Sequence, residues 1–176
     1  MKKLLWLFLT GMIFSCNNEG SAPKEAAKDS TTAASTPNYP YTIEHPDYWE
    51  IGSTANTMTV LSALKSWEEG KMDESVKNFS DSVHVQFDGL DKTVPADTLK
   101  AMFTSSWNNY KNLHIKMTDW ESVISKDKKE EWVTLWYTQH WENQKGEKDS
   151  ADIINDLELK NGKIMHLAEY TRKTHR

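Results

Sequence analysis

The sequence predicts an α+β domain with its helices first and a long antiparallel meander last. Three observations carry this. Apolar residues at helical spacing are concentrated between residues 60 and 110, four long strand-like runs follow one another after that, and the separators between those runs are turn-forming. The 176 residues are enough for one ordinary domain and short for two.

In chain order, residues 1–16 read MKKLLWLFLTGMIFSC. Lys2 and Lys3 precede an apolar stretch from Leu4 to Phe14, too short for the roughly 20 residues a membrane-spanning helix needs. The stretch therefore reads as a signal peptide over 1–15. Ile13-Phe14-Ser15-Cys16 resembles a bacterial lipoprotein cleavage box, which implies an acylated Cys16 as the membrane anchor. Asp is absent from position 17, which by analogy with bacterial sorting favours the outer membrane. Residues 16–39 are then the lipidated Cys and a disordered tether, since Asn17 to Asn38 holds no Leu, Ile, Val, Met or aromatic residue. As a flexible coil that tether spans about 26 Å root-mean-square.

Aromatic residues return at Tyr39 and Tyr41, so the folded domain is expected over 40–176. Val60, Leu61, Leu64 and Trp67 share one helical face, and Gly70 stands where a helix C-terminus wants it. Met72, Val76 and Phe79 continue as a second, short helix. Val83, Val85 and Phe87 alternate with polar residues as a strand ending at Gly89. Pro95 followed by Leu99, Met102, Phe103, Trp107 and Tyr110 opens a third helix. Strands are expected at 113–125, 131–142, 149–160 and 163–173, separated by Lys126–Lys129, Asn143–Gly146 and Asn161-Gly162.

Composition excludes several functions. Lys plus Arg is 21 against 26 Asp plus Glu, a formal charge of −5, which argues against nucleic acid as a partner. One Cys allows no internal disulfide. No GxGxxG or GxxxxGK[ST] signals a phosphate cradle, no HxH or HExxH a metal, and no GxSxG a nucleophile. Neither a cofactor nor a metal is expected.

Ser66-Trp-Glu-Glu-Gly-Lys-Met-Asp73, Phe79-Ser-Asp-Ser-Val83, and Asn161-Gly-Lys-Ile164 leading to Glu169-Tyr170 stand in an order that resembles the nuclear transport factor 2-like superfamily, particularly its SnoaL-like, polyketide-cyclase-like branch. The resemblance implies a cone, a strongly curved and mostly antiparallel sheet wrapped around about three helices, with a pocket at the wide end. It implies no particular activity. In ketosteroid-isomerase-like members the acidic base falls at Gln86 of this sequence, the later oxyanion-hole carboxyl at Asn155, and the helix Tyr near Ala63. Gln86 is no proton acceptor at neutral pH and Ala63 no donor, so that proton-transfer set is not matched.

Alternation assigns the pocket wall. A two- or four-residue loop at 143–146 places Trp132, Thr134, Trp136, Thr138 and His140 beside Ala151, Ile153, Asn155, Leu157 and Leu159. Asp152, Asp156 and Glu158 occupy the opposite face, so the Asn155 face is read as inner. Trp132 and Trp136 then read either as core or as walls stacking on a planar ligand. Val133, Leu135, Tyr137 and Trp141 read as an outer apolar face suited to a homodimer. For the last hairpin, a two-residue Asn161-Gly162 turn puts His166 and Tyr170 inward, and a three-residue loop with a glycine bulge puts Leu167 and Glu169 inward. The resemblance favours the second, because its pocket position falls at Leu167.

Three functions follow. The first is a non-catalytic cone holding a small, mainly apolar or aromatic molecule, lined by Asn155, Trp132, Trp136, Gln86 and Leu167. The second is an isomerase-, dehydratase- or hydrolase-type enzyme using His140 and Glu169 with Asn155. The third is a protein-interaction module on the sheet face.

Overall fold

A computed structural model describes residues 38–174. The expected signal, Cys16 and all but the last two residues of the expected tether lie outside the described residues. From Ile43 onward the chain forms one compact unit. Its elements are β1 (Trp49–Ile51), α1 (Thr54–Glu68), α2 (Met72–Val76), β2 (Phe79–Phe87), β3 (Leu90–Pro95), α3 (Ala96–Trp107), β4 (Lys111–Ser125), β5 (Glu131–Glu142), β6 (Lys148–Lys160) and β7 (Lys163–Lys173). The seven strands make one curled, unclosed sheet in the order β1-β4-β5-β6-β7-β2-β3, antiparallel except where β2 lies parallel to β7. This is the expected α+β cone.

Local chemistry sets the helix ends. Ser53 caps α1 by accepting the Ala55 N–H on its side-chain oxygen. At the other end Lys71 N–H donates to Ser66 O and Gly70 N–H to Trp67 O, the paired bonds of a Schellman motif. Gly70 has φ +74°, and a Cβ there would stand 2.8 Å from the Trp107 ring. Glycine is thus required twice, for the left-handed turn and for the close approach of α3. Buried Ser75 ties α2 to α1 by donating to Ala63 O at 2.9 Å. Glu68 caps the irregular start of β4, accepting the Ile115 N–H at 2.8 Å.

The strand registers decide which side chains meet the helices. The β5–β6 connection is a three-residue turn, Gln144 to Gly146, closed by Asn143 N–H to Glu147 O and Gly146 N–H to Asn143 O. Gly146 takes φ +83°, the left-handed position that ends such a turn, and the Asn143 side chain accepts the N–H groups of Lys145 and Glu147. An odd turn pairs Leu135 with Asn155 and Tyr137 with Ile153. The expected facing of β5 is therefore inverted, because it requires an even loop and one residue exchanges the two faces of a strand. Val133, Leu135, Tyr137 and Gln139 are buried inward. They are core and cavity residues, and the expected outer apolar face of Val133, Leu135, Tyr137 and Trp141 does not exist.

The last hairpin combines parts of both expected geometries. Asn161 and Gly162 both have positive φ, 53° and 72°, the signature of a two-residue type I′ turn. Leu159 pairs with Ile164, but Glu158 pairs with His166, so Met165 is an extra residue and the facing flips there. Leu167 and Glu169 consequently face inward, opposite Leu157 and Asn155.

Candidate functional site

The helices cover the concave face of the sheet incompletely and leave a cavity of about 510 Å³. That volume lies in the range of small-molecule pockets. Ala63, Leu64 and Trp67 of α1 and Met102 and Phe103 of α3 form one side. Leu135, Tyr137, Gln139 and Trp141 of β5, with Ile153 and Asn155 of β6, form the other, and Leu167, Glu169, Thr171 and Lys173 of β7 complete it. Apolar atoms dominate because each wall element turns its helical stripe or its buried strand face to the same space.

Polar groups within that lining form a chain. The Asn155 amide satisfies both neighbours when its oxygen is turned to Tyr137: Tyr137 OH then donates to Asn155 Oδ1 at 3.1 Å, and Asn155 Nδ2 donates to Glu169 Oε2 at 3.2 Å and to Ile154 O at 3.3 Å. Tyr137 and Asn155 are 3% and 6% exposed, so both need these partners. Glu169 completes the chain as an acceptor, helped only by a long contact from the Thr171 hydroxyl at 3.4 Å. Burial raises the Glu169 carboxyl above its ordinary range, and the Thr171 contact opposes this only weakly. Burial also holds the Tyr137 phenol well above its usual value, with the Glu169 charge adding to the effect.

Aromatic rings close the more exposed end of the cavity. Trp67 and Tyr110 meet edge-on at 6.3 Å, and Tyr110 and Trp141 at 5.4 Å. Lys173 lies on this side, opposite Gln139 and Ala151 across the β5–β6–β7 rows.

The expected site residues divide. Asn155, Leu167 and Glu169 line the cavity, as does Ala63. Trp132, Trp136, His140 and Gln86 do not. They lie on the outer face, the three β5 residues because of the odd turn, and Gln86 because Val83, Val85 and Phe87 supply the inner face of β2. His140 is exposed and cannot act with Glu169, which faces the opposite side of the sheet. Trp136 instead continues into Ile154 and Tyr170 as an outer row across three strands. On the same outer side His166 contacts Gln86 Oε1 at 2.9 Å, and His84 contacts Asp91 at 2.8 Å. Tyr137, Gln139 and Trp141 are cavity residues that sequence reasoning does not place in the wall. The signal that finds them is Gly146, the left-handed third residue of the turn. Among the described residues no group of three or more His, Cys, Asp or Glu is placed to hold a metal ion.

No protein-family model matches the chain, and no curated relative is similar to it. Solved structures are. An NTF2-like protein of unknown function from Exiguobacterium sp. 255-15 is 16% identical, with TM-score 0.53, over 68% of this chain and 99% of that one. AusH from Aspergillus nidulans is 15% identical, with TM-score 0.57, over 72% of this chain and 90% of that one. An LEH-like epoxide hydrolase from M. tuberculosis is 12% identical, with TM-score 0.54, over 68% of this chain and 84% of that one. At these identities the likeness speaks for the fold alone: the described domain has the NTF2-like cone fold.

Proposed function

We propose that this chain is a lipid-anchored envelope protein whose cone domain binds a small, mainly apolar molecule and orients it without chemistry. The observation that carries the reading is the cavity of about 510 Å³, apolar on most sides, with the Tyr137–Asn155–Glu169 chain as its principal polar feature. Apolar walls supply affinity, and one fixed polar group supplies orientation. The anchor rests on the basic pair Lys2-Lys3, the short apolar stretch and Cys16. Native mass spectrometry of the full chain, drawn in mild detergent from its own envelope, tests the pocket. A reproducible extra mass that is lost in Leu167→Trp, which fills the cavity, is expected. A bare chain that also gives no tryptophan fluorescence change with any apolar probe overturns the reading. Labelled palmitate should enter the wild type and not Cys16→Ala; equal labelling would refute the anchor.

A second reading, an acid–base enzyme on the same scaffold, draws on Glu169, a buried carboxyl with a raised pKa on a cavity wall. It requires that Glu169→Gln abolish turnover while a bound substrate analogue is retained.

A further inference from the structure

The hydrogen bonds around Glu169 have a direction, and that direction restricts the ligand. With the Asn155 amide turned so that its oxygen meets Tyr137 OH and its nitrogen meets Glu169, Tyr137 donates to Asn155 and Asn155 donates to the ionised Glu169, so each polar group in the chain hands its proton toward the carboxylate. Thr171 can add only its long hydroxyl contact at 3.4 Å. Among the described residues no Lys, Arg or His lies within ion-pair distance of Glu169; every ion pair lies elsewhere. Among the same residues Lys173 is the one cation in the lining. It stands four residues along the same strand, about 13 Å away by strand spacing. The carboxylate thus keeps acceptor capacity on the cavity side and has no positive charge of the described domain to offset it.

From this arrangement we propose that the molecule held in the cavity is an amine: an apolar body carrying a protonated primary or secondary nitrogen that donates to Glu169. The proposal rests on the binding reading above and gives the ligand class for that same site. An ammonium supplies both what the carboxylate lacks, a donor and a charge, and a charge-assisted bond in a dry site is stronger than a neutral one. Against the ionised carboxylate, a ligand presenting a carbonyl or carboxylate would instead set acceptor against acceptor. The apolar body lies against Leu135 of Glu169's own row, Leu157 and Leu167 of the row on one side, and Ile153 of the row on the other. Its far end reaches the Trp67–Tyr110–Trp141 rings, where a planar group stacks.

Three probes with one body and different heads test this: 4-phenylbutylamine, 4-phenylbutanol and 4-phenylbutyrate. Each is titrated calorimetrically at neutral pH into the full chain in neutral detergent, with detergent-only blanks subtracted. The amine should bind at least tenfold tighter than the alcohol and tighter still than the acid. In Glu169→Gln the amine should lose its tenfold advantage over the alcohol. Equal or weaker binding of the amine overturns the ligand class and leaves the cavity reading standing. An amine preference that survives Glu169→Gln overturns the assignment to this carboxylate. No binding by any of the three overturns the cavity reading and the ligand class with it. Should Glu169→Gln fail to fold, the head-group order in the wild type decides alone.

Discussion

The two faces of strand β5 carry nearly the same kinds of residue and do opposite work. Trp132, Thr134, Trp136, Thr138 and His140 look outward, half-buried or exposed; Val133, Leu135, Tyr137 and Gln139 look inward and are buried. Each face has aromatic, aliphatic or hydrogen-bonding members, so hydropathy alone does not rank them. What separates them is what lies opposite. The inner face meets helices and the cavity, where Tyr137 must find Asn155. The outer face meets solvent, where Thr134 donates to Asp156 at 2.6 Å and Thr138 to Asp152 at 3.0 Å. Facing is here a property of the turn, not of the strand.

Substitutions at matched positions should break this comparison most sharply. Leu135 is fully buried, and Leu135→Ala is expected to cost about 2–5 kcal/mol in urea denaturation. Its neighbour Trp136→Ala, on the outside, should cost about 1 kcal/mol despite the larger side chain lost. Equal or reversed costs would show that the pairing of Leu135 with Asn155 is wrong.

The polar pair of β6 gives a smaller contrast. Asn155→Ala strands the Tyr137 hydroxyl in the interior and should cost about 1–3 kcal/mol. Asp156→Ala removes only an outer hydroxyl–carboxylate bond and should cost about 0.5 kcal/mol. Tyr137→Phe made together with Asn155→Leu should recover part of the first loss, since both polar ends are then gone.

Titration should sharpen the comparison further, because Glu169 on the inner face and His166 on the outer one respond to pH with opposite signs. Glu169, raised by burial above the ordinary 4.5, holds its proton longer in the folded chain than in the unfolded one. Stability from this group is therefore full below 4.5 and declines as pH rises through the raised value. Outside, burial and the neighbouring His84 lower His166 from 6.5, so its contribution is present above 6.5 and is lost as pH falls through the lowered value. In melting curves across pH, Glu169→Gln should flatten the decline toward neutral pH and His166→Gln the decline on the acid side. Opposite assignments, or no change in either slope, would contradict the placement. Glu158 is also raised, chiefly by burial and then by Glu130, but it lies on the outer face and Glu158→Gln should have the smallest effect.

Much of the architecture is legible in the sequence because it rests on local signals. Alternation marks β4 to β7 nearly to the residue, and Gly70 marks the end of α1. β1 and β3 are not legible: Trp49–Ile51 is three residues long, and Leu90–Pro95 has one buried residue, Val94, to alternate around. The site is half legible. β6 declares its own inner face by placing Asp152, Asp156 and Glu158 on the other, and Asn155 follows. β5 carries no such charge marker, so its facing must be carried across a turn that is one residue away from the expected length. Every miss in the cavity wall on that strand, Leu135, Tyr137, Gln139 and Trp141, has this single cause.

The bulge at Met165 bears on how this hairpin tolerates change in length. Seen as insertions and deletions, it is a spare unit already inserted. Deleting Met165 lets Ile164 run straight into His166, leaves Leu157 opposite Leu167 and Asn155 opposite Glu169, and costs only local twist. Deleting Ala168, three residues on, swings Glu169 to the outer face and exchanges it with its neighbour Tyr170. A single codon lost on one side of Leu167 is silent in the cavity. The same loss on the other side replaces the carboxylate of the cavity wall with a phenol.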